Sequence, residues 1–149
     1  MNDSPKKLKI DFEELLLALE GFPSPDIGNY LDTETGEIIP LHDDFDDAAE
    51  IRERIDAGLG GKFLAIEPLE ARESFRIMED FAASQPESPL RSRLLDALTR
   101  NKPFARFKDI VHDDREVRGP WFTFRDDALA RHARDWLEVK GIAAELQRR

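Results

Sequence analysis

The spacing of apolar residues along the chain predicts several amphipathic helices. Apolar residues that recur every three or four positions form one buried face of a helix. This spacing predicts helices at residues 11–20, 43–57, 69–84, 89–98, 103–111 and 126–140. Asp11 and Ser88 stand where a side-chain oxygen can cap the first turn, and Gly141 stands where a glycine can end the last helix.

Shorter apolar runs predict strands between these helices. Residues 28–32 and 37–41 flank Thr33–Gly36, and Gly36 can supply the positive φ that a tight turn needs. We therefore expect a β-hairpin near residues 28–41. Residues 62–66 and Trp121–Phe124 are also expected to be strands, the second because Gly119 and Pro120 precede an aromatic run.

Together these elements predict an α+β fold. The one clear strand pair is an antiparallel hairpin, and the strands do not alternate regularly with helices. We expect a small antiparallel sheet that includes this hairpin, packed by about five or six helices. A length of 149 residues is typical of one domain. We therefore expect a single domain over residues 1–149, with residues 1–7 as a flexible tail.

Composition narrows the class of protein. The chain has no cysteine, which excludes a disulfide framework, a thiolate nucleophile and a zinc ribbon. Residues 1–7 lack the apolar segment of a signal peptide, and the apolar run at residues 15–19 is too short to span a bilayer. We expect a cytoplasmic protein without a membrane partner.

Charge is distributed unevenly along the chain. The net charge at pH 7 is −10. Residues 1–90 contain eight Lys and Arg against 22 Asp and Glu, a net charge of −14, whereas residues 91–149 contain 14 against 10, a net charge of +4. Overall acidity disfavours indiscriminate binding to nucleic acid or anionic membranes, but a local basic patch on an acidic body can still bind an anion.

Several short motifs occur in an order that resembles a known bacterial family. These motifs are Tyr30-Leu31-Asp32 with Thr35-Gly36-Glu37, Met78-Glu79-Asp80-Phe81, Phe104-Ala105-Arg106-Phe107-Lys108-Asp109, Trp121-Phe122-Thr123-Phe124, and Trp136-Leu137. In order and spacing they resemble the bacterial Uncharacterised Protein Family 0158, over about residues 29–142. The resemblance implies a small intracellular α+β protein, and it transfers no activity or site residue.

Two His-Asp doublets are the sharpest candidates for catalytic chemistry. His42-Asp43 opens an acidic run that continues to Asp47, and His112-Asp113 repeats the doublet. Imidazole and carboxylate groups can hold a divalent cation that activates water. Acidic residues at the start of a helix also cap its amide groups and complement its dipole, however, and we favour this structural interpretation.

The segment from Leu90 to Lys108 carries most of the basic character. Its cations are Arg91, Arg93, Arg100, Lys102, Arg106 and Lys108, and with Asp96 they give a net charge of +5. Phe104 and Phe107 alternate with these cations, a pattern that can bind phosphates and stack bases. The same spacing also fits a helix that buries its phenylalanines and exposes its cations to solvent. We favour the second interpretation.

These observations lead us to expect a non-catalytic intracellular regulatory or protein-interaction module with a charge-polarised surface. Its partner would be another protein or a second copy of the chain, and Arg100, Lys102, Arg106 and Lys108 are the candidate binding residues. Two alternatives stay open: a nucleic-acid-binding accessory protein that uses residues 91–108, and a metal-dependent hydrolase that uses His42/Asp43 and His112/Asp113. No cofactor and no catalytic residue are predicted.

Overall fold

The computed structural model describes residues 7–20 and 27–147. Within these residues the elements are β1 (Leu8–Asp11), α1 (Phe12–Glu20), β2 (Ile27–Asp32), β3 (Ile38–His42), α2 (Ala48–Gly58), β4 (Phe63–Ala65), α3 (Ala71–Ser84), α4 (Pro89–Thr99), α5 (Pro103–Asp113), α6 (Arg115–Val139) and β5 (Ala144–Gln147). Small sheets and helices occur together in one chain, which confirms the predicted α+β class.

The chain divides into two compact units. Among the described residues, the first unit consists of those up to Leu69 together with those from Ala130 onward, and the second unit is Glu70–Leu129. Helix α6 begins in the second unit and ends in the first. The expectation of a single domain stays a prediction. Of the predicted flexible tail, residues 1–6 lie outside the described part of the chain.

The hairpin of the first unit is confirmed. Strand β2 pairs antiparallel with β3 on one side and with β4 on the other, and Tyr30 lies opposite both Ile39 and Ala65. Gly36 has a φ of 83°, and its amide donates a 2.8 Å hydrogen bond to the Asp32 carbonyl. The glycine therefore supplies the left-handed conformation that the turn requires.

Helix α2 packs on this sheet and begins later than the sequence predicts. Ile55 is buried in a cluster with Ile39, Leu41 and Phe63. The predicted start at residue 43 is wrong, because residues 43–47 form turns and α2 begins at Ala48. The prediction that acidic side chains cap this helix also fails at its N-cap residue, Asp47, whose side chain makes no capping hydrogen bond.

The first unit also contains a two-stranded parallel sheet that the sequence did not predict. Strand β1 pairs with β5, with Ile10 opposite Leu146. Helix α1 follows β1 directly, and the Asp11 carboxylate accepts a 2.9 Å hydrogen bond from the Glu14 amide, as predicted for a cap. Gly21 and Pro23 follow α1 in the sequence and are residues that commonly end a helix, but they lie outside the described residues.

Four helical segments form the core of the second unit. Its buried residues are Met78, Phe81, Ala82, Leu94, Leu98, Phe107, Val111, Val117 and Trp121. The Phe81 ring meets the rings of Phe107 and Trp121 edge-on, at centroid distances of 6.3 and 5.2 Å. Such aromatic pairs add about 0.5–1.5 kcal/mol each beyond the burial of apolar area.

The strand predicted at Trp121–Phe124 is wrong, because these residues lie inside α6. In a strand Trp121 and Thr123 would share a face, whereas a helix places residues three apart on one face. Trp121 and Phe124 both contact the Phe81 ring, at 5.2 and 5.4 Å, and Thr123 is exposed. Helical packing against Phe81 therefore outweighs the strand preference of the aromatic run.

Candidate functional site

The connection between α4 and α5 carries the cations singled out by the sequence. The Ser88 hydroxyl accepts a hydrogen bond from the Arg91 amide, and Pro89 occupies the first turn of α4. Helix α4 ends at Thr99, and Pro103 opens α5. Proline suits the first turn because the amide it lacks has no partner there. Both helix boundaries follow the sequence signals, and they place Arg100 and Lys102 between the two helices.

Two of the four candidate cations are held by neighbouring groups. Arg100 Nε donates a 2.8 Å hydrogen bond to the Asp96 carboxylate, one helical turn earlier. Arg106 Nε and Nη2 donate to the carbonyl and the side-chain oxygen of Asn101, at 2.8 and 3.0 Å. The charge of Arg100 is thus partly compensated, whereas Arg106 is oriented by a neutral residue and keeps its full charge.

The other two candidate cations, Lys102 and Lys108, are exposed. Among the described residues neither forms an ion pair with a carboxylate. Lys102 has a φ of 51° and is the N-cap residue of α5, which has no side-chain cap. The positive end of the α5 dipole therefore adds to the lysine charge. We call Arg100, Lys102, Arg106 and Lys108 the cationic surface. Lys102 and Arg106 are four residues apart and share a side of α5, whereas Lys108 lies two residues beyond Arg106 and extends from another side of the helix.

The phenylalanines of this segment belong to the core. Phe107 is fully buried, and Phe104 is half-buried against Phe75 in an edge-on pair with a centroid distance of 6.4 Å. Base stacking requires an open ring face, which Phe107 does not offer. The alternation of cations and phenylalanines in the sequence is typical of a site that stacks bases. In the structure, however, the cationic surface presents its charges without a series of exposed aromatic rings.

A second charged feature lies in the first unit, between β3 and α2. We call residues 43–47 the acidic loop. Two turns order it, because the Phe45 amide donates to the His42 carbonyl at 3.0 Å and the Ala48 amide donates to the Phe45 carbonyl at 3.1 Å. Arg52 of α2 contacts Asp43 at 2.6 Å. Phe45 lies at the centre of this loop and is 41% exposed.

The two His-Asp doublets lie in different units and face different neighbours. His42 Nδ1 accepts a 3.0 Å hydrogen bond from the Asp44 amide, and its ring lies 5.7 Å from that of Phe45. The His112 ring lies 5.9 Å from that of Phe122. Within residues 7–20 and 27–147, no group of three or more His, Asp and Glu side chains is arranged to hold a metal ion. The hydrolase interpretation gains no support from this geometry.

Asp32 is a buried carboxylate that the sequence analysis named only within the Tyr30-Leu31-Asp32 motif, without giving it a role. It is 2% exposed, and its carboxylate accepts hydrogen bonds from the amides of Glu34 and Thr35, at 2.8 and 3.2 Å. Burial raises the pKa of Asp32, but these hydrogen bonds and the charge of Lys62 outweigh burial and lower the pKa below its ordinary value. The position of an Asp immediately before the turn is the signal that could have revealed this role.

Within the described part of the chain, no helix is long and apolar enough to cross a membrane.

Comparisons with known proteins place the chain in a family. No solved structure gives a significant match. The chain is 30% identical to UPF0158 protein PA5073 of Pseudomonas aeruginosa over 140 residues, which cover 92% of this chain and 86% of that protein. The model of the Uncharacterised protein family (UPF0158) matches residues 6–148, and the chain therefore belongs to this family.

Proposed function

We propose that this protein is a non-catalytic interaction module that binds acidic protein segments through the cationic surface of its second unit. The observation that carries the proposal is a set of exposed positive charges that no carboxylate among residues 7–20 and 27–147 compensates: Lys102, Arg106 and Lys108. A group of exposed positive charges raises the rate of encounter with an anionic partner and disfavours positively charged partners.

The residues around these cations hold some of them in fixed positions, so a ligand can be recognised by the arrangement of the charges as well as by their sign. Phe107, between Arg106 and Lys108, is anchored in the core of the second unit, with its ring 4.9 Å from that of Trp121. Asn101 also holds the Arg106 guanidinium with two hydrogen bonds. Pre-ordered groups lose less conformational entropy when a ligand binds. A short acidic segment is therefore the ligand class that this arrangement fits.

Protein is favoured over nucleic acid for two reasons. The net charge of −10 opposes binding to a long polyanion. In addition, Phe107 is fully buried and Phe104 is half-buried against Phe75, so the segment offers only part of one ring for base stacking rather than a series of open aromatic faces. An isolated acidic peptide needs only the local cations, whereas RNA would also approach the acidic remainder of the protein.

The direct test is the affinity of a fluorescein-labelled polyglutamate peptide, measured by anisotropy over a series of salt concentrations. Lys102→Gln with Lys108→Gln should weaken binding about tenfold, equivalent to about 1.4 kcal/mol. Arg100→Gln should have a smaller effect because Asp96 already compensates its charge. Arg131→Gln with Arg134→Gln removes two exposed cations from α6 and serves as the charge-matched control.

Three outcomes would overturn the proposal. The first is no peptide binding, and the second is an equal loss of affinity in the control variant. The third is preferential binding of single-stranded RNA with a steep salt dependence, which would indicate counterion release from a nucleic acid and support the nucleic-acid alternative.

A further inference from the structure

We infer that the acidic segment bound by the cationic surface is the acidic loop of a second copy of this chain. This inference rests on the proposed function and names its partner. The two features lie in different units of one chain and have opposite charge. A contact between unlike surfaces on two identical chains is heterologous, so it can add further copies head to tail.

The acidic loop has free charges to offer. Arg52 compensates Asp43, but Asp46 and Asp47 form no ion pair within the described residues. Asp44 lies beside His42: its carboxylate is 3.6 Å from His42 Nδ1, and its amide donates a 3.0 Å hydrogen bond to the same nitrogen. Within the described part of the chain, the exposed carboxylates of Asp46 and Asp47 have no ion-pair partner, and their charge is opposite to that of Lys102, Arg106 and Lys108.

The apolar parts of the two surfaces also match. Phe45 is 41% exposed in the acidic loop and has aspartates on both sides. On the cationic surface Pro103 and Phe104 are half-buried, and lysines lie on both sides of them in the sequence. A phenylalanine ring can pack on this apolar strip while its flanking carboxylates meet the lysines, and an ammonium group can also approach the ring face.

The size of the two surfaces sets the strength of the contact. Stable protein interfaces bury about 1,200–2,000 Å² in total. A loop of residues 43–47 covers a smaller area, so we expect weak, reversible association that rises with protein concentration. The net charge of −10 on each copy opposes this contact at long range, which also keeps it weak. Salt screens the attraction between the exposed groups, so association should be lost at high ionic strength.

Sedimentation velocity of the full chain at low salt tests this inference. The first variant reverses the cationic surface with Lys102→Glu and Lys108→Glu, and the second reverses the acidic loop with Asp44→Lys and Asp46→Lys. Each variant alone should be monomeric where the wild type associates. An equimolar mixture of the two variants should associate again, because the native pair of surfaces and the reversed pair are both complementary between unlike variants. A chain that carries all four changes should associate again.

Two further variants separate this contact from general charge effects. Phe45→Ala keeps the charge and should weaken association at least threefold by removing the ring. Glu50→Lys with Glu53→Lys reverses two exposed acids of α2 outside the loop and should leave most of the association in place.

A wild type that stays monomeric but still binds polyglutamate through Lys102 and Lys108 would overturn the self-association and leave the proposed function standing. Association that persists in both single-surface variants would also overturn it. Absence of polyglutamate binding would instead overturn the proposed function itself.

Discussion

The turn residue Gly36 lies directly against the backbone of Lys9: a Cβ atom at position 36 would clash with the Lys9 carbonyl oxygen. The hairpin turn and strand β1, 27 positions apart in the sequence, are thus in backbone contact. Glycine is required here for two separate reasons, its φ of 83° and this close approach. Both reasons lie within the first unit and can be separated by experiment.

Gly36→Ala should therefore destabilise the protein by more than the cost of a left-handed alanine. That conformational cost is about 1–2 kcal/mol. Forcing atoms into an already packed site typically costs a further 1–3 kcal/mol or so. Gly60→Ala is the matched control, because Gly60 has a φ of 87° and no atom within 4 Å of its Cβ position. Equal losses of unfolding free energy in urea for the two variants would contradict the close contact.

The buried carboxylate of Asp32 should make stability depend on pH. Its pKa in the folded protein lies below the ordinary value of 3.8, so the unfolded state binds a proton more readily. The stabilisation is present above the unfolded pKa and is lost as pH falls through the folded pKa. Asp32→Asn keeps an oxygen that can accept the Glu34 and Thr35 amides and removes the charge. The stability advantage of the wild type over this variant should shrink below about pH 4. An advantage that stays constant or grows on acidification would contradict the lowered pKa.

The aromatic cluster of the second unit predicts a large effect at Trp121 and a small effect at Thr123. Trp121 is 3% exposed and contacts Phe81 and Phe107, so Trp121→Ala should cost about 3–5 kcal/mol. Thr123 is exposed on the same helix, and Thr123→Ala should change stability by less than about 0.5 kcal/mol. A strand at these residues would give the two side chains similar surroundings, so comparable losses in thermal unfolding would argue for the strand.

The turns and helix ends that depend on a single residue could be predicted from the sequence. Gly36 for the turn, Ser88 for the cap of α4 and Pro103 for the start of α5 each act through their own backbone or side chain. The pairing of β1 with β5 was missed because it joins short strands from opposite ends of the chain. The strand predicted after Pro120 failed because proline usually ends or kinks a helix, whereas α6 continues through it.

The candidate site was predicted in composition but not in detail. The sequence pattern predicted a helix that buries Phe107 and exposes its cations, and in the structure Phe107 is buried while Lys102, Arg106 and Lys108 are exposed; their role in binding stays a prediction. The pairing of Arg100 with Asp96 could have been anticipated from their spacing of four residues. The two hydrogen bonds from Arg106 to Asn101 could not have been anticipated from the sequence, because they depend on how the chain turns between α4 and α5.

The most direct measurement of the central claim is an amide chemical-shift titration of isotopically labelled protein with polyglutamate peptide. The account predicts that the amides of Arg100, Asn101, Lys102, Arg106 and Lys108 shift progressively, and that these shifts fall away as salt is added. Lys102→Gln with Lys108→Gln should abolish most of them at the same peptide concentration. Shifts that are absent from residues 100–108, or that concentrate around the exposed cations Arg131 and Arg134, would contradict the claim that this surface binds acidic protein segments.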